Sequence, residues 1–147
     1  MSRDQLLTVA TRYFEIVSQG DLEALGEILS PDFIQHTPGV PPGPAGAQAV
    51  LALFLHGFPD FAVTVDWLLA DGDKVVVRSR ARGTHTGPFM GHPPSGRSFT
   101  ATGIDVLRVS AGRIVERWSE FDTFAMLQQL ALVATPWSTD VRPPGGR

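Results

Sequence analysis

The chain of 147 residues contains no cysteine. Disulfides, thiolate nucleophiles and zinc–sulfur sites are therefore excluded. It also lacks an excess of basic residues: 12 Lys and Arg against 15 Asp and Glu give a net charge of −3. Nucleic acid as a main partner would need a positive field. No apolar run reaches the roughly 18 residues of a membrane span. The opening MSRDQLLTVATRYFE has no long apolar core of a secretion signal. The expectation is a cytoplasmic chain without a membrane or nucleic-acid partner. Catalytic signatures are scarce as well. There is no GxGxxG, no P-loop and no GxSxG elbow, and the four histidines show neither HxH nor HExxH spacing. Neither a cofactor nor a metal site is expected.

Hydrophobic residues make up 43% and charged residues 18%, ordinary values for a globular protein. The length suits one domain with a sizeable core. That domain should run to about residue 134, with the Pro- and Gly-rich stretch 135–147 as a loose tail.

Leu6, Ala10, Tyr13, Phe14 and Val17 recur at three and four residues, which predicts a helix ended by Gly20. Asp21 is placed to cap a second helix, LEALGEIL. PDFIQHTPG is a short extended piece, VPPGPAG a loop and AQAVLALFLHGF a third helix. After Pro59 the period changes to two. Phe61, Val63, Val65, Trp67 and Leu69 alternate, and Asp71-Gly72-Asp73 marks a turn. Val75, Val77, Ser79, Ala81, Gly83 and His85 then share one face. Phe99 to Val109 is a third long strand, and SAGR turns into a fourth. Helices followed by long antiparallel strands give an α+β order, with room for a pocket between the layers.

Hairpin pairing about Ala111-Gly112 sets Val109 opposite Ile114, Leu107 opposite Glu116, Asp105 opposite Trp118 and Gly103 opposite Glu120. Barring a bulge, Asp105, Trp118, Glu120 and Asp122 then share the inner face with Phe99. A lone Asp in GIDVLRV is expensive if ionised and unpaired. Either it stays neutral and donates a hydrogen bond, or it pairs with an arginine such as Arg117 or Arg108. Asp122 begins a helix, TFAMLQQL, and suits an N-cap with or without a further role. His36 and His85 each sit alone in apolar, turn-rich settings and are either structural or catalytic; His56 and His92 are expected to be exposed. Arg78, Arg80 and Arg82 read as a solvated stripe, with a phosphate site as the minor reading. Ile104 and Val106 keep the outer strand face apolar, which a homodimer would cover.

With these elements in order, the chain resembles the SnoaL-like polyketide cyclases of the nuclear transport factor 2-like superfamily. RYFEIVSQGDLEALGEILSPDFIQHTPG is similar to the family's opening helices and first strand. RGTHTGPFMGHPPSGRSFTATGIDVLRVSAGRIVERWSEFDTFAMLQQL is similar to its C-terminal half. The resemblance implies a cone-shaped α+β barrel, with N-terminal helices on a curved, mainly antiparallel sheet enclosing a pocket. It also implies cofactor-free ring closure of a small carbonyl compound by aldol chemistry. In that family an Asp before the final LxQL helix is the acid/base, which matches Asp122. A polar residue in the preceding strand, often His, matches Asp105, and the histidine of an H-x-G stretch matches His85. The related ketosteroid isomerases pair a helix Tyr with a protonated strand Asp, and these match Tyr13 and Asp105. Their strand base is replaced here by His36.

The resulting expectation is a base, Asp122 or His36, that removes a proton next to a carbonyl. Asp105 with Tyr13 or His85 would stabilise the enolate, in a pocket lined by Trp118, Phe33 and Phe99 with Glu120 nearby. Double-bond isomerisation is close behind ring closure. Epoxide opening by Asp105 and Asp122 is an alternative, and a non-catalytic binding or dimerisation domain is another.

Overall fold

The computed structural model describes residues 1–134. The expected tail, 135–147, lies outside the described residues. The chain runs α1 (Arg3–Gln19), α2 (Leu22–Ile28), β1 (Leu29–Gln35), α3 (Gly43–Gly57), β2 (Ala62–Asp71), β3 (Lys74–Thr84), β4 (Ser98–Ser110), β5 (Arg113–Phe121) and α4 (Thr123–Gln129).

Each helix start has a local cause. Ser2 and Gln5 form a reciprocal capping box at α1, where Ser2 Oγ accepts from the Gln5 N–H and Gln5 Oε1 from the Ser2 N–H. Asp21 and Asp122 accept from the N–H groups of Ala24 and Ala125 and cap α2 and α4. Gly20 takes the left-handed conformation that closes α1 (φ 67°). The predicted apolar stripe of α1 is on the core side: Leu6, Ala10, Tyr13 and Phe14 are buried.

The sheet order is β1-β5-β4-β3-β2. The expected α+β layering, helices on a mainly antiparallel sheet, is present. The sheet is open rather than a closed barrel, with β1 and β2 as its edges. The piece read as merely extended, Pro31–Gly39, supplies most of β1, which runs parallel to β5. β3 and β4 pair without a shift from Lys74↔Arg108 to Thr84↔Ser98. Their inner residues, from Val75 to Gly83 and from Phe99 to Val109, are buried as the alternation predicts.

Two bulges overturn the alternation elsewhere. In β2 the register moves from Val65↔Ser79 to Trp67↔Arg78, so Asp66 is an extra residue. Trp67 and Leu69 consequently face outward and are exposed, while Leu68 and Ala70 pack on the core. In β5, Val109↔Ile114 is followed by Arg108↔Glu116, so Val115 is extra. Asp105 therefore lies opposite Ser119, Leu107 opposite Arg117 and Gly103 opposite Phe121. The expected pairs Asp105–Trp118 and Gly103–Glu120 are wrong by one residue. A one-residue shift exchanges the faces of the whole strand: Arg117, Ser119 and Phe121 turn inward, and Glu116, Trp118 and Glu120 turn outward.

Candidate active site

A cavity of about 240 Å³ lies between the helices and the inner sheet face. Most of its wall is apolar, from Phe14, Leu25, Leu51, Phe54, Phe61 and Phe121 among others. A polar group is set into this wall: Tyr13 of α1, Gln35 of β1, Ser79 of β3, Asp105 of β4, and Arg117 and Ser119 of β5. Thr37 and Thr123 line the cavity and are exposed, so they mark its mouth.

Arg117 organises the polar group. Its Nε donates to Asp105 Oδ1 at 2.9 Å, and Nη2 lies 2.7 Å from the same oxygen. Nη2 also donates to Ser119 Oγ at 3.0 Å, and Nη1 donates to Gln35 Oε1 at 3.3 Å. The guanidinium carbon lies 5.9 Å from the centroid of the Tyr13 ring, within range of a cation–π contact. Asp105 is only 3% exposed. Both of its contacts fall on Oδ1; no partner for Oδ2 is found among the described residues.

Burial dominates the electrostatics. It raises the Tyr13 phenol above its ordinary range; the Arg117 charge opposes this and the Asp105 charge adds to it. Burial alone would lower Arg117, but the charges of Tyr13 and Asp105 and the hydrogen bond to Asp105 outweigh it, and its proton is held more firmly than usual. The cavity therefore holds a phenol that keeps its proton beside the Arg117 guanidinium and its Asp105 contact.

Of the residues expected from the sequence, the cavity brings together Tyr13 and Asp105. Asp105 is paired with Arg117, one of the two options the sequence left open. Asp122 does not share its hollow. It is exposed, and its carboxylate caps α4 beside the mouth residue Thr123. His36 lies on the outer sheet face, 2.6 Å from Glu116 Oε2 and stacked on Trp118 at 5.0 Å. His85 is fully buried beyond β3, its Nδ1 3.0 Å from Ser95 Oγ and its ring packed on Phe58. Phe58, Phe89 and Phe99 cluster on that side of the core, and His85 is not a lining residue. Trp118 and Glu120 face outward because of the Val115 bulge. Phe33 and Phe99 are buried core residues outside the cavity wall.

Sequence reasoning missed Arg117, Ser119, Gln35 and Ser79 as a group. A single signal pointed to them: an Asp105–Arg117 pair requires both residues on one face, which the unbulged register forbids. Among the described residues no cluster of three or more His, Asp or Glu side chains is placed to hold a metal ion, and no helix is long and apolar enough to cross a membrane.

The profile of the SnoaL-like polyketide cyclases matches residues 7–130. The chain belongs to this family. Solved structures agree. IdmH from Streptomyces antibioticus, a candidate polyketide cyclase, is 38% identical with a TM-score of 0.77, covering 86% of this chain and 99% of its own. TsrD from Streptomyces laurentii is 28% identical with a TM-score of 0.82, covering 90% and 99%. A candidate SnoaL-like polyketide cyclase from Jannaschia is 27% identical with a TM-score of 0.78, covering 91% and 98%. None of the curated proteins matches the chain.

Proposed function

We propose that this family member catalyses cofactor-independent acid–base chemistry on a small, mostly apolar carbonyl compound, with intramolecular aldol ring closure as the favoured reaction. The observation that carries the reading is the Asp105–Arg117 pair set in an apolar cavity beside Tyr13. A buried ion pair is a poor way to stabilise a fold, but it is a useful way to manage charge during proton transfer.

The steps follow from charge balance. The Asp105 carboxylate takes a proton from the carbon next to the substrate carbonyl. The C–H electron pair moves to the carbonyl oxygen and forms an enolate. Asp105 is now neutral, and Arg117, with the Tyr13 hydroxyl, faces the new negative charge. One ion pair replaces another, so no charge stands alone in the apolar site. The enolate carbon then attacks a second carbonyl of the same molecule, and Asp105 returns its proton to the new alkoxide. Gln35 and Ser119 hold the guanidinium in place. In this reading Asp105 is the base, and roles for Asp122 and His36 in proton removal lose their geometric support. The same holds for epoxide opening by Asp105 and Asp122 together.

The test uses 2-tetralone, a neutral bicyclic ketone, in deuterated buffer. Wild-type protein should speed exchange of the protons next to the carbonyl, followed by NMR. Asp105→Asn should lose that acceleration. Wild-type exchange at the buffer rate would overturn the reading.

A second reading, a non-catalytic small-ligand binder, is favoured by two observations: Asp105 is tied to Arg117, and Asp122 caps its helix. Binding of 2-naphthol, an enol-like relative of tetralone, without any exchange activity would favour it. In either case we read the chain as a homodimer. Ile34, Trp67, Leu69 and Ile104 are exposed on the outer sheet face, away from the cavity. Light scattering should give twice the chain mass, and Ile104→Lys should reduce it to one.

A further inference from the structure

β1 is an edge strand, and its hold on β5 is thin where it meets the cavity. Regular pairing is interrupted between Leu29 and Ile34 and resumes only at Ile34↔Glu116 and Gln35↔Arg117. One further backbone bond follows, from the His36 N–H to the Arg117 carbonyl at 3.3 Å. Yet this strand end leads directly into the cavity wall. Gln35 touches Arg117, and Thr37 and Val40 line the cavity before the chain enters α3. The far end of this connection is fixed: α3 packs so closely on Pro41 that a Cβ at Gly46 would lie 1.8 Å from the Pro41 carbonyl oxygen.

The near end is fixed from the opposite face of the sheet. His36 Nε2 lies 2.6 Å from Glu116 Oε2, and Arg108 Nε donates to Glu116 Oε1 at 2.9 Å. The His36 ring stacks on Trp118 with planes 9° apart. Because Glu116 and Arg117 are neighbours on β5, one peptide unit carries the outer clasp on one side and the cavity arginine on the other.

We infer that His36 is a positioning residue: clasped to Glu116 and Trp118 on the outer face, it holds the end of β1 so that Gln35, Thr37 and Val40 form the cavity wall. It touches no substrate and acts through the strand. The ligand-binding consequence rests on the function proposed above; the positioning itself does not. Loss of the clasp should loosen the wall and shorten ligand residence, while the Asp105–Arg117 pair keeps its chemistry. Binding and KM are then affected more than kcat.

The test combines amide hydrogen exchange with 2-naphthol binding, in the wild type, His36→Ala, Glu116→Gln and the double variant. In the absence of ligand, the amides of Gln35, residue 36 and Val40 should exchange several-fold faster in His36→Ala, and the double variant should exchange no faster than the faster single variant. Exchange in β3 and β4 serves as the control and should not change. With naphthol present, His36→Ala should raise the dissociation rate several-fold. Unchanged exchange at these amides, or an increase spread equally over the sheet, would overturn the inference. If the wild type binds no naphthol, the cavity reading fails instead, and the ligand-free exchange still decides whether His36 positions the wall.

Discussion

Glu116 and Arg117 are consecutive on β5 and each belongs to a carboxylate–cation network, but the two networks lie on opposite faces. Outside, Glu116 joins His36 and Arg108, and across the sheet Asp66 of β2 joins Arg78 and Arg80 at 2.6 and 2.9 Å. In the single chain water reaches these groups, so such pairs add little to its stability. Inside, Arg117 and Asp105 make contacts of similar length in an apolar setting. There the attraction is strong, but desolvation costs as much or more. Equal geometry thus has unequal meaning: the outer pairs form in a solvated setting, whereas the inner pair carries a desolvation cost that the fold alone does not require.

The largest expected effect breaks the inner pair. Asp105→Leu should leave Arg117 buried without its counter-charge and lower unfolding stability by about 3–5 kcal/mol, measured in urea. Exchange of 2-tetralone should fall by roughly 10²–10⁴, the usual contribution of a positioned base. Adding Arg117→Met should restore most of the stability and none of the activity. A double variant as unstable as the single would mean that the pair is structural. Next, Tyr13→Phe should reduce turnover by about 10²–10³, as for loss of one oxyanion donor, with little change in melting temperature.

Gly103 offers a steric test. It lines the cavity, and a Cβ there would lie 3.4 Å from its nearest neighbours, Glu120 O and Phe121 Cδ2. Gly103→Val should preserve the fold and abolish naphthol binding, read by fluorescence. The smallest effect belongs outside: Asp66→Asn should change stability by no more than about 1 kcal/mol and leave exchange activity intact.

The two faces should also titrate in opposite directions. The Tyr13 phenol is raised above the ordinary phenol value of 10.0, chiefly by burial, so the folded state holds this proton longer than the unfolded state. Its contribution should be complete below about pH 10 and fall as pH rises further. Glu116 is lowered by its bonds to His36 and Arg108. Its contribution should be present above the ordinary carboxylate range and fade on acidification. Stability curves of wild type, Tyr13→Phe and Glu116→Gln should separate these two limbs.

What the sequence made legible follows the regularity of the strands. Strict alternation in β3 and β4 placed Ser79 and Asp105 on the inner face, and helix spacing placed Tyr13 there. The caps Asp21 and Asp122 were readable because an Asp before an apolar period has a local job. The bulges at Asp66 and Val115 were not readable. Each adds one residue without a Gly or Pro to mark it, and the preference for it comes from packing on the neighbouring strands. Because of the second bulge, Arg117 and Ser119 line the cavity, while Trp118 and Glu120 do not. His36 lies outside the cavity for a related reason. Gln35 and His36 point to opposite faces of a strand whose membership in the sheet is set by long-range pairing with β5.

In the proposed mechanism a substrate oxygen docks at the Asp105–Arg117 pair beside Tyr13, and its neighbouring carbon loses a proton there. A crystal structure of the 2-naphthol complex tests it most directly. The naphthol ring should lie among Leu51, Phe54 and Phe121, with its oxygen within hydrogen-bond distance of Arg117 Nη1 or Tyr13 Oη. Naphthol bound with its oxygen at the mouth and its ring against an undisturbed polar cluster would contradict it.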